Sequence, residues 1–319
     1  MIENFIFSAN AVFPIFLVIA FGFFLRRKNF LSQNAIGEMN KLVFSFALPL
    51  LLFRNIYRAD FSALLDVQFI LWVLASIVIL FVLLWAIAEI CFRNQKDLIG
   101  AFVQASFRSN YAIVGLPLVA NMLGDGDTGL AALTSAFVVT SYNILSVIVL
   151  TAKNSKSEAI SLKLAKDMLI GICKNPSIIG IVLGVTINLM NLPLPVIVHE
   201  GVNYMAILCT PMALIAVGGS VKVAEIMKHF KPAIFGTAVK IAITPLIFMP
   251  ISVWLGFRGE ALAVLFVMFA NPTAIISYVM ADRMNGNTAI TSAIILMTTV
   301  FSSITLTVGV YLLLSLGLV

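Results

Sequence analysis

Apolar residues come in runs of about 20, the length that crosses a hydrocarbon core of about 30 Å, and they recur along the whole chain with only short polar interruptions. Hydropathy places these runs at 5–25, 34–56, 67–91, 98–122, 129–151, 170–190, 197–219, 232–255, 260–284 and 288–316. The pattern predicts an all-α polytopic membrane protein with ten transmembrane helices and leaves nothing for a soluble catalytic domain. Glu3 precedes the first run and Arg26-Arg27-Lys28 follows it. That charge order reverses a cleavable signal peptide, so the run is expected to stay as a span. In the longest interruption, 153–169, Ile160, Leu164 and Met168 recur every four residues while Lys156, Lys163 and Lys166 fall elsewhere. It reads equally as an interfacial helix or as a solvated cytoplasmic linker.

Compared with itself, the chain agrees at an offset of 162 residues. Pro14 falls on Pro176, Pro49 on Pro211, and Phe107, Ala112, Ile113, Met122 and Gly124 on identical residues between Phe269 and Gly286. Two units follow, 1–152 and 170–319, each with five spans. An odd number makes the second unit enter the membrane from the opposite side, which is the inverted repeat of many secondary transporters.

Composition sharpens the picture. Hydrophobic residues make up 61% of the 319-residue chain and charged residues only 11%, against roughly a quarter in soluble domains. The net charge of +6 is scattered through short loops, which argues for orientation in a bilayer and against nucleic-acid binding. With both termini outside, fifteen Lys and Arg fall inside, Lys41 among them, against Arg54, Arg58 and Arg258 outside. A cell inner membrane location with both termini extracytoplasmic is expected. Cys91, Cys173 and Cys209 have no C-x-x-C spacing, and His199 and His229 are expected to flank spans at solvated positions. No metal site and no cofactor is expected.

The candidate chemistry sits where the two halves carry polar or proline interruptions at matching depth: Arg108-Ser109-Asn110 in the fourth span and Asn271-Pro272-Thr273 in the ninth. Pro272 removes a backbone donor and is expected to break its helix, while Ser109 and Asn110 compete for backbone hydrogen bonds. Two half-helix amino ends would then meet near mid-membrane and favour an anion. Arg108 reads either as a carboxylate ligand or as a side chain that snorkels or pairs with Glu89. Lys240 in the eighth span carries the same ambiguity, and Asp66 reads as a coupling-ion carboxylate or as a helix cap. Gly180 and Gly184 form a small-xxx-small pair that allows close helix approach.

These residues resemble the auxin efflux carrier family, which contains plant auxin exporters and bacterial organic-acid permeases. The likeness rests on Asn40-Lys41-Leu42-Val43 leading to Ala47-Leu48-Pro49-Leu50-Leu51, on Asn110 to Pro117, and on Asn271-Pro272 continuing to Tyr278-Val279-Met280-Ala281. It implies an architecture like that of bile-acid/sodium symporters: two inverted five-helix repeats with crossed, broken fourth and ninth helices. Spans 1, 2, 6 and 7 would form a scaffold and homodimer interface, and spans 3–5 and 8–10 a transport domain. Asn110 matches the family's crossover asparagine at the substrate carboxylate, Asn271 and Thr273 flank the crossing Pro272, and Leu48 matches a scaffold residue lining the pocket. Two departures stand out: Ser109 replaces the exporters' proline, and Asp66 is followed four positions later by Ile70 where the exporters carry lysine.

The expected function is secondary transport of a mono- or dicarboxylate such as malate or malonate, or an auxin-like acid, by alternating access. Coupling to a proton or to sodium is left open. An anion channel or uncoupled uniporter is the alternative, and the polar residues clustered at one depth favour a carrier. No H-E-x-x-H, paired acidic motif or Ser/His pairing lies within the spans, so an enzyme is not expected.

Overall fold

The computed structural model describes residues 2–57, 66–123, 128–154, 176–220 and 230–319. The predicted linker 153–169, Cys173, His229 and the start of the sixth run lie almost wholly or entirely outside these residues. Among the described residues the secondary structure is helical, and seven helices are long and apolar enough to cross a membrane. They are α1 (Ile2–Arg27), α2 (Gln33–Tyr57), α3 (Val67–Cys91), α6 (Gly129–Asn154), α8 (Val196–Gly219), α9 (Phe230–Trp254) and α12 (Thr288–Ser315). Shorter helices lie between them: α4 (Lys96–Phe107), α5 (Tyr111–Leu123), α7 (Pro176–Leu189), α10 (Gly259–Ala270) and α11 (Ile276–Arg283). Such helices satisfy every backbone group internally, which lipid requires.

The long proline-containing helices adapt to their prolines locally. Pro14 and Pro211 lie inside α1 and α8 without ending them. Pro49 follows a π-helical turn, Val43–Ala47, within α2, and a second such turn, Val239–Ile243, precedes Pro245 within α9. A π turn absorbs one extra residue and turns the side chains beyond it to a new direction.

Helix α1 packs along α8, and α7 and α8 pack on α2. Close approach is set by missing side chains. A Cβ on Gly22 or Gly218 of the α1–α8 pair would run into the carbonyl of Ile215 or Ile19, and one on Gly180 into the backbone of Pro49. A Cβ on Gly184 would sit 3.0 Å from the Phe53 carbonyl oxygen. The small-xxx-small pair of the sixth run thus serves contact within the chain, between α7 and α2. A second set of helices packs around the short ones: α4 lies against α3, α6, α9 and α12, while α10 lies against α9, α12 and α5. Leu262 to Ala270 of α10 are buried without interruption, as are Leu98 to Phe107 of α4, so both short helices run through the interior of this set.

Candidate functional site

Helices α4 and α10 both stop inside the protein. α10 ends at Ala270 because Asn271, the residue before proline, is held extended at φ −61° and ψ 150°. Steric contact with the proline ring disfavours helical geometry there, and Pro272 has no N–H to give. α4 ends at Phe107 with Arg108 extended at φ −79° and ψ 123°. No proline is present at that break. The two extended stretches cross antiparallel, with Ser109 bridged to Thr273 and the Asn110 N–H donating to the Pro272 carbonyl at 2.8 Å. The Asn110 N–H therefore finds on the other stretch a backbone acceptor that its own helix no longer supplies.

Side chains complete the crossing. The Thr273 hydroxyl donates to the Ala105 carbonyl at 2.7 Å, its N–H donates to the Thr298 hydroxyl at 3.1 Å, and the Lys240 ammonium donates to the Phe269 carbonyl at 3.0 Å. The carbonyl ends of α4 and α10 are thus tied off by protein groups. The amino ends of α5 and α11 are not: neither Asn110 nor Ile275 caps its helix through a side chain. The positive end of each helix dipole, with the N–H groups of α5 that precede Val114, forms a seat for an anion, while in α11 the Ser277 and Tyr278 N–H groups donate to the Ala274 and Ile275 carbonyls at 3.0 Å.

Those amino ends form the floor of a cavity of about 860 Å³, lined there by Asn110, Ala112, Ile113, Ile275 and Ile276. Its walls come from both sets of helices: Leu48 and Leu52 of α2, Ile181 of α7 and Val217 of α8 face Tyr142 and Asn143 of α6 and Thr299 of α12. It reaches the exposed Gln33 and Lys41 at the end of α2 that follows the Arg26-Arg27-Lys28 cluster. The volume is in the range of small-molecule sites.

Arg108 lines the cavity and is only 4% exposed, so it does not snorkel to the surface. Its guanidinium donates to Asn143 Oδ1 at 2.7 Å, Met280 Sδ at 2.9 Å and Ser146 Oγ at 3.4 Å, all neutral partners. Ser109 and Leu48 also line the cavity, and the buried Ser109 hydroxyl has no hydrogen-bond partner. Asn271 and Thr273 are fully buried behind the floor and do not line it. Asn271 stands near the crossing, its Nδ2 at 3.5 Å from the Asn110 carbonyl, while its Oδ1 has no partner. Of the seven residues expected at the site, Leu48, Arg108, Ser109 and Asn110 therefore meet in the cavity, and Asn271, Pro272 and Thr273 brace the crossing beneath it.

Asp66 lies elsewhere. It is exposed at the start of α3, where its carboxylate accepts from the Gln68 and Phe69 N–H groups at 2.8 and 3.2 Å, the geometry of a helix cap. Sequence reading passed over Asn143 and Ser146, the partners of Arg108. The Ser141-Tyr142-Asn143 interruption of an apolar span was the available signal.

An apolar helical bundle with two helices broken against each other beneath a cavity defines a multi-pass membrane transporter. The chain belongs to the membrane transport protein family, the auxin efflux carrier family, which it matches over residues 7–310. An uncharacterized transporter of Methanothermobacter thermautotrophicus is 23% identical over 302 residues, covering 94% of this chain and 96% of that protein. A candidate malonate transporter of Rhizobium meliloti is 25% identical over 309 residues, 94% of each chain. An uncharacterized transporter of Escherichia coli is 24% identical over 282 residues, 88% of this chain and 89% of its own.

Proposed function

We propose that this chain is a secondary transporter of a small organic dicarboxylate such as malonate, working by alternating access at the crossover. The observation that carries the reading is the charge of the cavity. Among the described residues, Arg108 and Lys41 are the charged residues of its lining, and no carboxylate joins them. A buried cation whose partners are all neutral, beside two uncapped helix amino ends, favours an anion strongly in a low-dielectric site. One carboxylate would sit at Asn110 and the half-helix N–H groups, and the other at Arg108. The candidate malonate transporter among the relatives agrees with two carboxylates.

Ten crossings follow if α4 with α5 and α10 with α11 each make one broken span and α7 makes another. Support for an inverted repeat comes from paired contacts. The offset of 162 carries Gly22 onto Gly184 and Ile215 onto Phe53, and both glycines lie against the backbone carbonyl of that partner. The Asn110–Pro272 hydrogen bond joins two residues that the same offset relates, as a bond on a local twofold axis would. In this reading α1, α2, α7 and α8 form the scaffold and α3–α6 with α9–α12 the moving group, with the cavity on their seam. Its exposed end lies beside the basic cluster, so the described state faces the cytoplasm under the positive-inside rule.

The test is direct binding. Purified protein is expected to gain thermal stability with malonate or malate and little with propionate, and proteoliposomes to accumulate labelled malonate. Equal stabilisation by acids and by neutral or cationic solutes of similar size would refute the reading.

A further inference from the structure

Lys240 is a buried cation that the substrate cavity leaves unused. Its side chain is fully buried on the π-helical turn Val239–Ile243 of α9, and it does not line the cavity. Its one hydrogen bond goes to the carbonyl of Phe269, at 3.0 Å. An ammonium can donate three hydrogen bonds and is costly to bury without an anion, so a packing role alone is a poor account of it.

The partner explains the position. In an unbroken helix the Phe269 carbonyl would accept from the N–H four residues on, that of Thr273, which donates instead to Thr298. Phe269 therefore presents to Lys240 a carbonyl without its helical partner at the negative end of the α10 dipole, the kind of group that coordinates cations where transporter helices are broken. Two further buried hydroxyls lie on α9 and α4, neither of them bonded to the ammonium. Thr237, three residues before Lys240 and hence on the same helix face, has a buried hydroxyl without a partner. Ser106 presses its own partnerless hydroxyl against Gly236, one turn before Lys240, within 2.8 Å of where a Cβ would stand. Main-chain and hydroxyl oxygens without charge are suited to a small hard monovalent cation.

We propose that the ammonium of Lys240 is a tethered cation filling an inner cation site at the carbonyl end of the crossover, so that the carrier needs no soluble metal cation there. The crossing then holds two opposite sites back to back. The amino ends of α5 and α11 await an anion on the cavity side, and the carbonyl end of α10 holds the Lys240 amino group on the buried side.

The test replaces the ammonium by neutral groups of similar reach, Lys240→Gln and Lys240→Met, and compares thermal unfolding in sodium chloride with that in choline chloride at equal ionic strength. The parent is expected to unfold at the same temperature in both salts. Lys240→Gln, which adds an amide oxygen to the vacated space, is expected to gain about 3 °C or more from sodium, and Lys240→Met to gain less. Sodium stabilisation of the parent, or indifference of both variants to sodium, overturns the proposal. So does failure of both variants to fold in sodium, since the soluble ion then cannot replace the ammonium. This arm uses no substrate. Malonate uptake by the parent, expected to be equal in sodium and choline, rests on the dicarboxylate reading, and an absence of uptake beside a sodium response in the variants counts against the substrate alone.

Discussion

Replacing Arg108 by glutamine should convert a dicarboxylate site into one that no longer distinguishes dicarboxylates from monocarboxylates. The guanidinium already gives three hydrogen bonds to neutral groups and still has donors to spare at the cavity wall. A charge-assisted hydrogen bond to a desolvated carboxylate contributes about 1.5–3 kcal/mol. Lost at one carboxylate, that weakens malonate binding by roughly 10- to 150-fold. Propionate, with a single carboxylate at Asn110, should change by less than about 3-fold, because the missing group contacts nothing in its complex. Glutamine retains an amide for Asn143, so the fold should survive. The assay is titration calorimetry or ligand-dependent thermal unfolding with both acids, on parent and variant. Equal losses for the two acids, or no loss for malonate, would refute the assignment of Arg108 to the second carboxylate.

Asn110→Ala should abolish measurable binding of both acids while leaving the unfolding temperature within a few degrees, since the crossing is held by its backbone N–H and not by its side chain. Gly218→Val should cost about 1–3 kcal/mol or prevent folding, because its Cβ would enter the Ile19 carbonyl of α1; detergent unfolding curves measure this. Asp66→Ala should cost about 1 kcal/mol through loss of the α3 cap and leave malonate uptake under pH and sodium gradients as in the parent. Single cysteines placed at residue 2 and at residue 319 should both react with an impermeant thiol reagent in intact cells, and protection of either would overturn the orientation drawn from the basic residues.

The long spans were legible because lipid imposes one simple demand, an apolar run of sufficient length, and the predicted 67–91 coincides with α3. Both helix breaks were legible for unequal reasons. At Asn271-Pro272 the covalent geometry of proline suffices, whereas at Ser109-Asn110 the signals were two side chains that compete for backbone hydrogen bonds and the agreement with the other half of the chain. The π turns of α2 and α9 left no mark in hydropathy, since one extra residue per turn does not alter an apolar run. The division of labour within the crossing was also hidden. Asn271 and Thr273 are polar residues at the right depth, and only three-dimensional placement reveals that they stand behind the floor with Asn110 in front of it. Lys240 and Arg108 looked alike in sequence, each a lone cation in a span, yet one faces the cavity and the other the sealed side.

Those two buried cations have a consequence for how the carrier responds to membrane voltage. A charge crossing the whole field changes energy by about 2.3 kcal/mol per 100 mV. If the crossover moves with Arg108 and Lys240 both ionised, the empty moving group carries two positive charges through the field, and a bound dicarboxylate cancels them. The loaded step would then be blind to voltage and the return of the empty site would bear all of its effect. Exchange of internal for external malonate, which uses only loaded steps, should proceed at the same rate at any potential, while net movement in either direction should follow it steeply.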